Sequence, residues 1–199
     1  MMLQALGRAA TLALTVVGLG LPIGAQAPGP KVTAADVRFM QDMIGHHAQA
    51  VEMTALVRTR TRRAEMRALS ERIAVSQTDE MAIMRQWLEA HAAAFPAAAA
   101  HEMHADSKHG MIAAAAMPMM PGMLSPAQMQ TLRRASGPRF DRLFLEGMIR
   151  HHGGALAMVE SLMATPGAAQ ESSLNRFVTD VDTDQRAEIA RMRRMLSRR

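Results

Sequence analysis

Two fifteen-residue stretches of this chain repeat one another, and that repeat constrains the fold more than any other feature. Residues 39–53 read FMQDMIGHHAQAVEM and residues 144–158 read FLEGMIRHHGGALAM. Phe39, Met43, Ile44, His46, His47, Ala50 and Met53 recur as Phe144, Met148, Ile149, His151, His152, Ala155 and Met158, each 105 positions further on. Residues three and four apart share one face of a helix. Met43 stands at that spacing from both His46 and His47, and Met148 from His151 and His152. Met53 and Met158 lie two turns beyond the first His of each pair.

A second echo makes the repeat larger. QTDEMAIMRQWL (77–88) aligns with QRAEIARMRRML (185–196), matching Gln77, Glu80, Met84, Arg85 and Leu88 to Gln185, Glu188, Met192, Arg193 and Leu196 at an offset of 108. The chain therefore reads as two copies of a helical hairpin, which would bury their apolar faces against each other as a four-helix bundle. Composition agrees. Hydrophobic residues make up 49% and aromatics only 3%, with Ala, Leu and Met prominent. These are strong helix formers, and strand-like alternation is absent, so the class is all-α.

Helix boundaries follow from end signals. After a Pro/Gly linker at 28–32, Thr33 with Asp36 three places later forms a variant capping box, and the first helix runs to about Arg58. The second covers about 62–94 and stops at Phe95-Pro96, since proline disfavours helix in the residue before it. Ser125-Pro126-Ala127-Gln128 opens a short helix with a capping box and Pro at its first position. Gly137-Pro138 ends that helix, a long one follows over about 139–163, and the last covers about 171–197. Gly45, Gly147, Gly153 and Gly154 beside the His pairs suggest that helices approach closely there. The hairpins occupy 33–96 and 125–199. Between them, 97–124 is a flexible, low-complexity Met/His-rich insert.

The residue types point to metal chemistry. Imidazole suits copper, zinc, iron and nickel, while thioether sulfur favours soft Cu(I), and Ag(I) follows by the same softness. Met43, His46, His47, Met53, Met148, His151, His152 and Met158 are the candidate ligands. Met84 and Met192 are weaker candidates, better read as core. The insert adds His101, Met103, His104, His109, Met111, Met117, Met119, Met120 and Met123. The chain contains 20 Met and no Cys, which excludes disulfides, thiolate zinc sites and haem attachment through C-x-x-C-H.

Residues 1–27 read as an export signal, with Arg8 before an apolar run at 9–21 that is too short for a span of ~20 residues. Cleavage after Ala25 or Ala27 leaves no stable membrane span. The formal charge of +5 does not indicate nucleic acid. Arginines gather at 58–63 and 191–199, where they complement helix C-termini. Trp87, the sole Trp, reads as core.

FMQDMIGHHAQAVEM, MPGMLSPAQM (120–129), FDRLFLEGMIRHHGGALAM (140–158) and the E-x-x-x-M-R pair at 80–85 and 188–193 together resemble the domain-of-unknown-function 305 family. This group is regarded as ferritin-like and includes CopM-type periplasmic copper binders. The resemblance covers about 33–199. It implies a ferritin-like four-helix bundle that binds copper or silver in a bacterial periplasm, through the eight His and Met positions of the two repeats.

The leading expectation is an exported, non-enzymatic protein that sequesters copper or passes it to another copper-handling protein. Cu(I) is favoured, with Cu(II) or Ag(I) as further ions. A metal-free helical interaction module is the alternative. A di-iron or copper oxidase fits less well, because di-iron bundles use Glu-x-x-His. Here Glu146 and His151 are five apart, and Asp42 and His46 are four apart. Non-covalent haem would declare itself by colour. The spacing is compatible with one shared site or with two separate ones.

Overall fold

The computed structural model describes residues 31–92 and 119–198, and among these there are five helices and no strand. They are α1 (Ala34–Arg60), α2 (Ala64–Ala90), α3 (Pro126–Arg134), α4 (Gly137–Met163) and α5 (Ser172–Ser197). The all-α expectation holds. Both capping boxes form. The Thr33 side chain accepts from Asp36 N and the Asp36 carboxylate from Thr33 N, while Ser125 and Gln128 do the same at α3. Arg58 and Arg60 lie in the last turn of α1, where cations suit the helix dipole. The proposed stop at Phe95-Pro96 and the signal segment at 1–27 lie outside the described residues.

α1 packs along α2, α4 along α5, and α1 against α4. The core divides into two apolar clusters. One joins the start of α1 (Val37, Met40, Met43), the end of α2 (Met84, Trp87), the end of α4 (Ala155, Leu162) and the start of α5 (Leu174, Val178). The other joins the end of α1 (Met53, Val57), the start of α2 (Met66, Ile73), the start of α4 (Phe140, Met148) and the end of α5 (Ile189, Met192). α1 is therefore antiparallel to α4, and the two hairpins are related by a pseudo-two-fold axis across the bundle. α2 ends beside the first cluster and α4 begins beside the second. The connection between hairpins must then travel the bundle's length, ~40 Å for helices of this size. A simple up-down-up-down order is excluded.

Polar groups at the two ends lock the hairpins together. Asp36, fully buried, also accepts from Ala169 N at 2.7 Å in the α4–α5 turn. That bond holds Ala169 at φ 54, a conformation that costs a non-glycine residue ~1–3 kcal/mol. Asp141 occupies the equivalent place on α4 and lies 3.5 Å from Arg63 Nη1 in the α1–α2 turn.

The last six residues of the 97–124 segment are not a free linker but a strap laid across the middle of the bundle. Gln49 of α1 grips Leu124 with two bonds, Gln49 Nε2 to Leu124 O at 3.0 Å and Leu124 N to Gln49 Oε1 at 2.7 Å. On α4, a Cβ added at Gly154 would sit 1.9 Å from Pro121 O and 2.8 Å from Gly122 Cα. Gly122 has φ 77, which favours glycine. Gly154 thus admits the strap rather than a helix, whereas a Cβ at Gly153 would meet nothing within 4 Å.

Candidate metal centre

Between the two apolar clusters lies a layer of four buried imidazoles. His46, His47 and His152 are 0% exposed and His151 is 1% exposed. Adjacent residues on a helix point about 100° apart, so each pair sends one ring to the helix-helix seam and the other toward its own hairpin partner. His46 and His151 meet at the α1–α4 seam with ring centroids 3.8 Å apart and planes 39° apart. The rings within each pair are separated almost identically, 6.4 Å for His46–His47 and 6.3 Å for His151–His152. The pseudo-symmetry extends to side-chain placement.

Three of the four rings are anchored through Nε2. His47 Nε2 lies 2.5 Å from Glu80 Oε2, and His152 Nε2 lies 2.6 Å from Glu188 Oε2. His46 Nε2 donates to the Pro121 carbonyl of the strap at 2.9 Å. The Nδ1 atoms of all four rings are buried without a hydrogen-bond partner, and His151 Nε2 is likewise unpartnered. Burial lowers the His46 imidazole to about 4, with His47 and His152 adding to the effect against the Pro121 bond. Burial, then the other three imidazoles, hold His151 well below its ordinary value, against an opposing contact with the His46 backbone. Both rings are therefore neutral near pH 7, which is the ligand form of histidine.

Sulfur lies on both sides of this layer. Met43 and Met84 are fully buried in the first cluster, with half-buried Met158 packed against it. Met53, Met148 and Met192 are fully buried in the second. The thioethers of the two repeats are thus shared between two flanking clusters, and the imidazoles of the two repeats meet at one central seam. On the strap, Met119 is 59% exposed, Met123 is half-buried, and Met120 Cε lies 3.4 Å from where a Cβ on Gly45 would stand. His101, Met103, His104, His109, Met111 and Met117 lie outside the described residues.

Among the described residues, no three His, Asp or Glu side chains group closely enough to enclose an ion by themselves. An ion held here would draw on sulfur as well as nitrogen. Sequence reasoning missed Glu80 and Glu188 as partners of the histidines, although their recurrence in the E-x-x-x-M-R echo was visible. It also missed Pro121, for which no local signal exists.

Residues 36–196 match the family model described as a domain of unknown function, DUF305. The chain belongs to the DUF305 family. Solved structures agree in fold. A DUF305 protein from Streptomyces coelicolor, described as secreted, shares 30% identity and a TM-score of 0.65, over 82% of this chain and 92% of that one. A DUF305 fragment from Deinococcus radiodurans shares 27% and a TM-score of 0.65, over 85% and 100%. CopM in a Cu(I)-bound form shares 22% and a TM-score of 0.57, over 80% and 94%. No curated protein sequence matches this DUF305 chain. No helix among its described residues is long and apolar enough to cross a membrane.

Proposed function

We propose that this DUF305 chain is an exported protein that binds a soft cation, Cu(I) first and Ag(I) by the same chemistry, and sequesters it or passes it on. The observation that carries the reading is the set of four buried imidazole Nδ1 atoms with no partner. A buried polar atom left unsatisfied costs ~1–3 kcal/mol. Four in one layer, bracketed by thioethers, are accounted for by a ligand that takes their lone pairs. The two carboxylates touching the layer are both engaged at histidine Nε2, which favours a His/Met donor set over a carboxylate-rich di-iron one. CopM, similar in fold, has been solved with Cu(I), Cu(II) and silver. The S. coelicolor relative described as secreted supports export, and ligand exchange with a second copper-handling protein would complete the role. No catalytic role is proposed.

The test is competition for Cu(I) against a chelator of known affinity, using the mature chain. Beside it runs a variant with His46, His47, His151 and His152 changed to Ala, its helicity checked by circular dichroism. A second variant, Met43→Leu with Met148→Leu, nearly conserves volume and keeps the core filled. Tight binding lost in the first variant and weakened in the second supports the reading. Binding retained in both moves the metal to the other His and Met residues of 101–123. A wild type that binds none of Cu(I), Ag(I) and Cu(II) refutes the reading in favour of a metal-free interaction module.

A further inference from the structure

We propose that Glu80, Glu188 and the Pro121 carbonyl are positioning groups, which hold His47, His152 and His46 with the proton on Nε2 and so present Nδ1 as the metal-binding atom. The inference rests on the metal-binding reading above and adds which atom binds and which residues make it available. A neutral imidazole has one donor nitrogen and one acceptor nitrogen. An ionised carboxylate and a carbonyl only accept, so the ring nitrogen facing either one carries the proton. Glu80 Oε2, Glu188 Oε2 and Pro121 O all face Nε2, at 2.5, 2.6 and 2.9 Å. When the ring is neutral, the lone pair is thereby left on Nδ1, and in all three rings Nδ1 is the buried atom without a partner.

The carboxylates are themselves held. Ser76 Oγ donates to Glu80 Oε1 at 2.9 Å, and Arg72 Nε stands 3.9 Å from Glu188 Oε1. Each glutamate sits on the second helix of its hairpin and reaches the second histidine of the pair on the first helix. The arrangement is therefore built once per hairpin, at positions 108 apart. Both glutamate side chains keep a margin of solvent contact, at 12% and 13% exposure, while the imidazoles they hold have none. Partners of this kind, one bond removed from a ligand, change metal affinity by about 10–100-fold when lost.

The experiment is 15N NMR on the mature chain labelled at histidine, first metal-free and then loaded with Ag(I), whose nuclear spin couples to the nitrogen it binds. Metal-free, His46, His47 and His152 should show a protonated Nε2 and an unprotonated Nδ1. Loaded, silver coupling should appear on Nδ1. Glu80→Ala with Glu188→Ala should release the tautomers of His47 and His152 and weaken Ag(I) binding by about 10–100-fold. Glu80→Gln with Glu188→Gln keeps an accepting oxygen, so the tautomers should persist and affinity should stay within about tenfold of wild type. A protonated Nδ1 at His47 or His152, silver coupling on Nε2, or Ala variants that bind like wild type would overturn the positioning role and leave the metal-binding reading standing. Failure of the wild type to bind Ag(I) or Cu(I) would overturn both.

Discussion

Changing Gly154 to Ala should destabilise the protein, and the same change at its neighbour Gly153 should not. A Cβ on Gly154 would lie 1.9 Å from Pro121 O and 2.4 Å from Pro121 C. Both are backbone atoms, so the strap must retreat by more than an ångström to reach ordinary contact. Pro121 O is the acceptor for His46 Nε2 at 2.9 Å, and a buried donor left orphaned costs about 2 kcal/mol. Loosening the Gln49–Leu124 pair adds about 1 kcal/mol. Alanine returns about 1 kcal/mol through its better helix propensity. The net loss is about 2 kcal/mol, which for a domain of this size lowers Tm by about 4–8 °C. Gly153 is exposed, and its added Cβ meets nothing within 4 Å. There the propensity gain stands alone, and stability should rise by up to about 1 kcal/mol. Urea or thermal unfolding followed by circular dichroism measures both. Equal stability losses at the two sites, or none at Gly154, would refute the argument that the strap occupies the missing Cβ volume.

The metal-free protein should weaken on acidification. A histidine held below its ordinary value contributes stability above its unfolded pKa of ~6.5, and that contribution is lost as pH falls through the folded value, about 4 for His46. The loss is of order 3 kcal/mol from His46, and His151, shifted the same way, adds to it. Urea midpoints that stay level from pH 6.5 to 4 would contradict it. Asp36→Ala removes the α1 capping box and leaves Ala169 N–H without its acceptor. The expected cost is about 2–3 kcal/mol by chemical denaturation, with Asp36→Asn recovering part of it. Met43→Leu with Met148→Leu should shift unfolding by less than about 1.5 kcal/mol while weakening Ag(I) binding, and a stability loss above that would place the role of these sulfurs in packing.

Much of this fold is legible in local signals. Thr33 with Asp36 and Ser125 with Gln128 announce helix starts because a cap is made within three residues. The doubled M-I-x-H-H announces equivalent helices because duplication preserves spacing. The partners of those histidines are harder to read. His47 and Glu80 are 33 residues apart, and His152 and Glu188 are 36 apart. Nothing in a helical period links residues on different helices, so only the shared recurrence of all four hinted at a connection. The strap is less legible still. His46 and Pro121 are 75 residues apart, and Gly154 reads as a packing glycine until the object packed against it is seen. The direction of the second hairpin was also hidden, because the amphipathic pattern of a helix is the same whichever way it runs.

The duplication that built this chain supplied two equal halves, and the strap makes them unequal. His46 donates from Nε2 to the strap's Pro121 carbonyl, while its counterpart His151 leans on the backbone of His46 instead. In mechanical terms, the central seam is a vice with one jaw pinned to the strap and the other carried by its own helix. One short peptide segment, seated where Gly154 leaves room for it, gives two equivalent helices different surroundings.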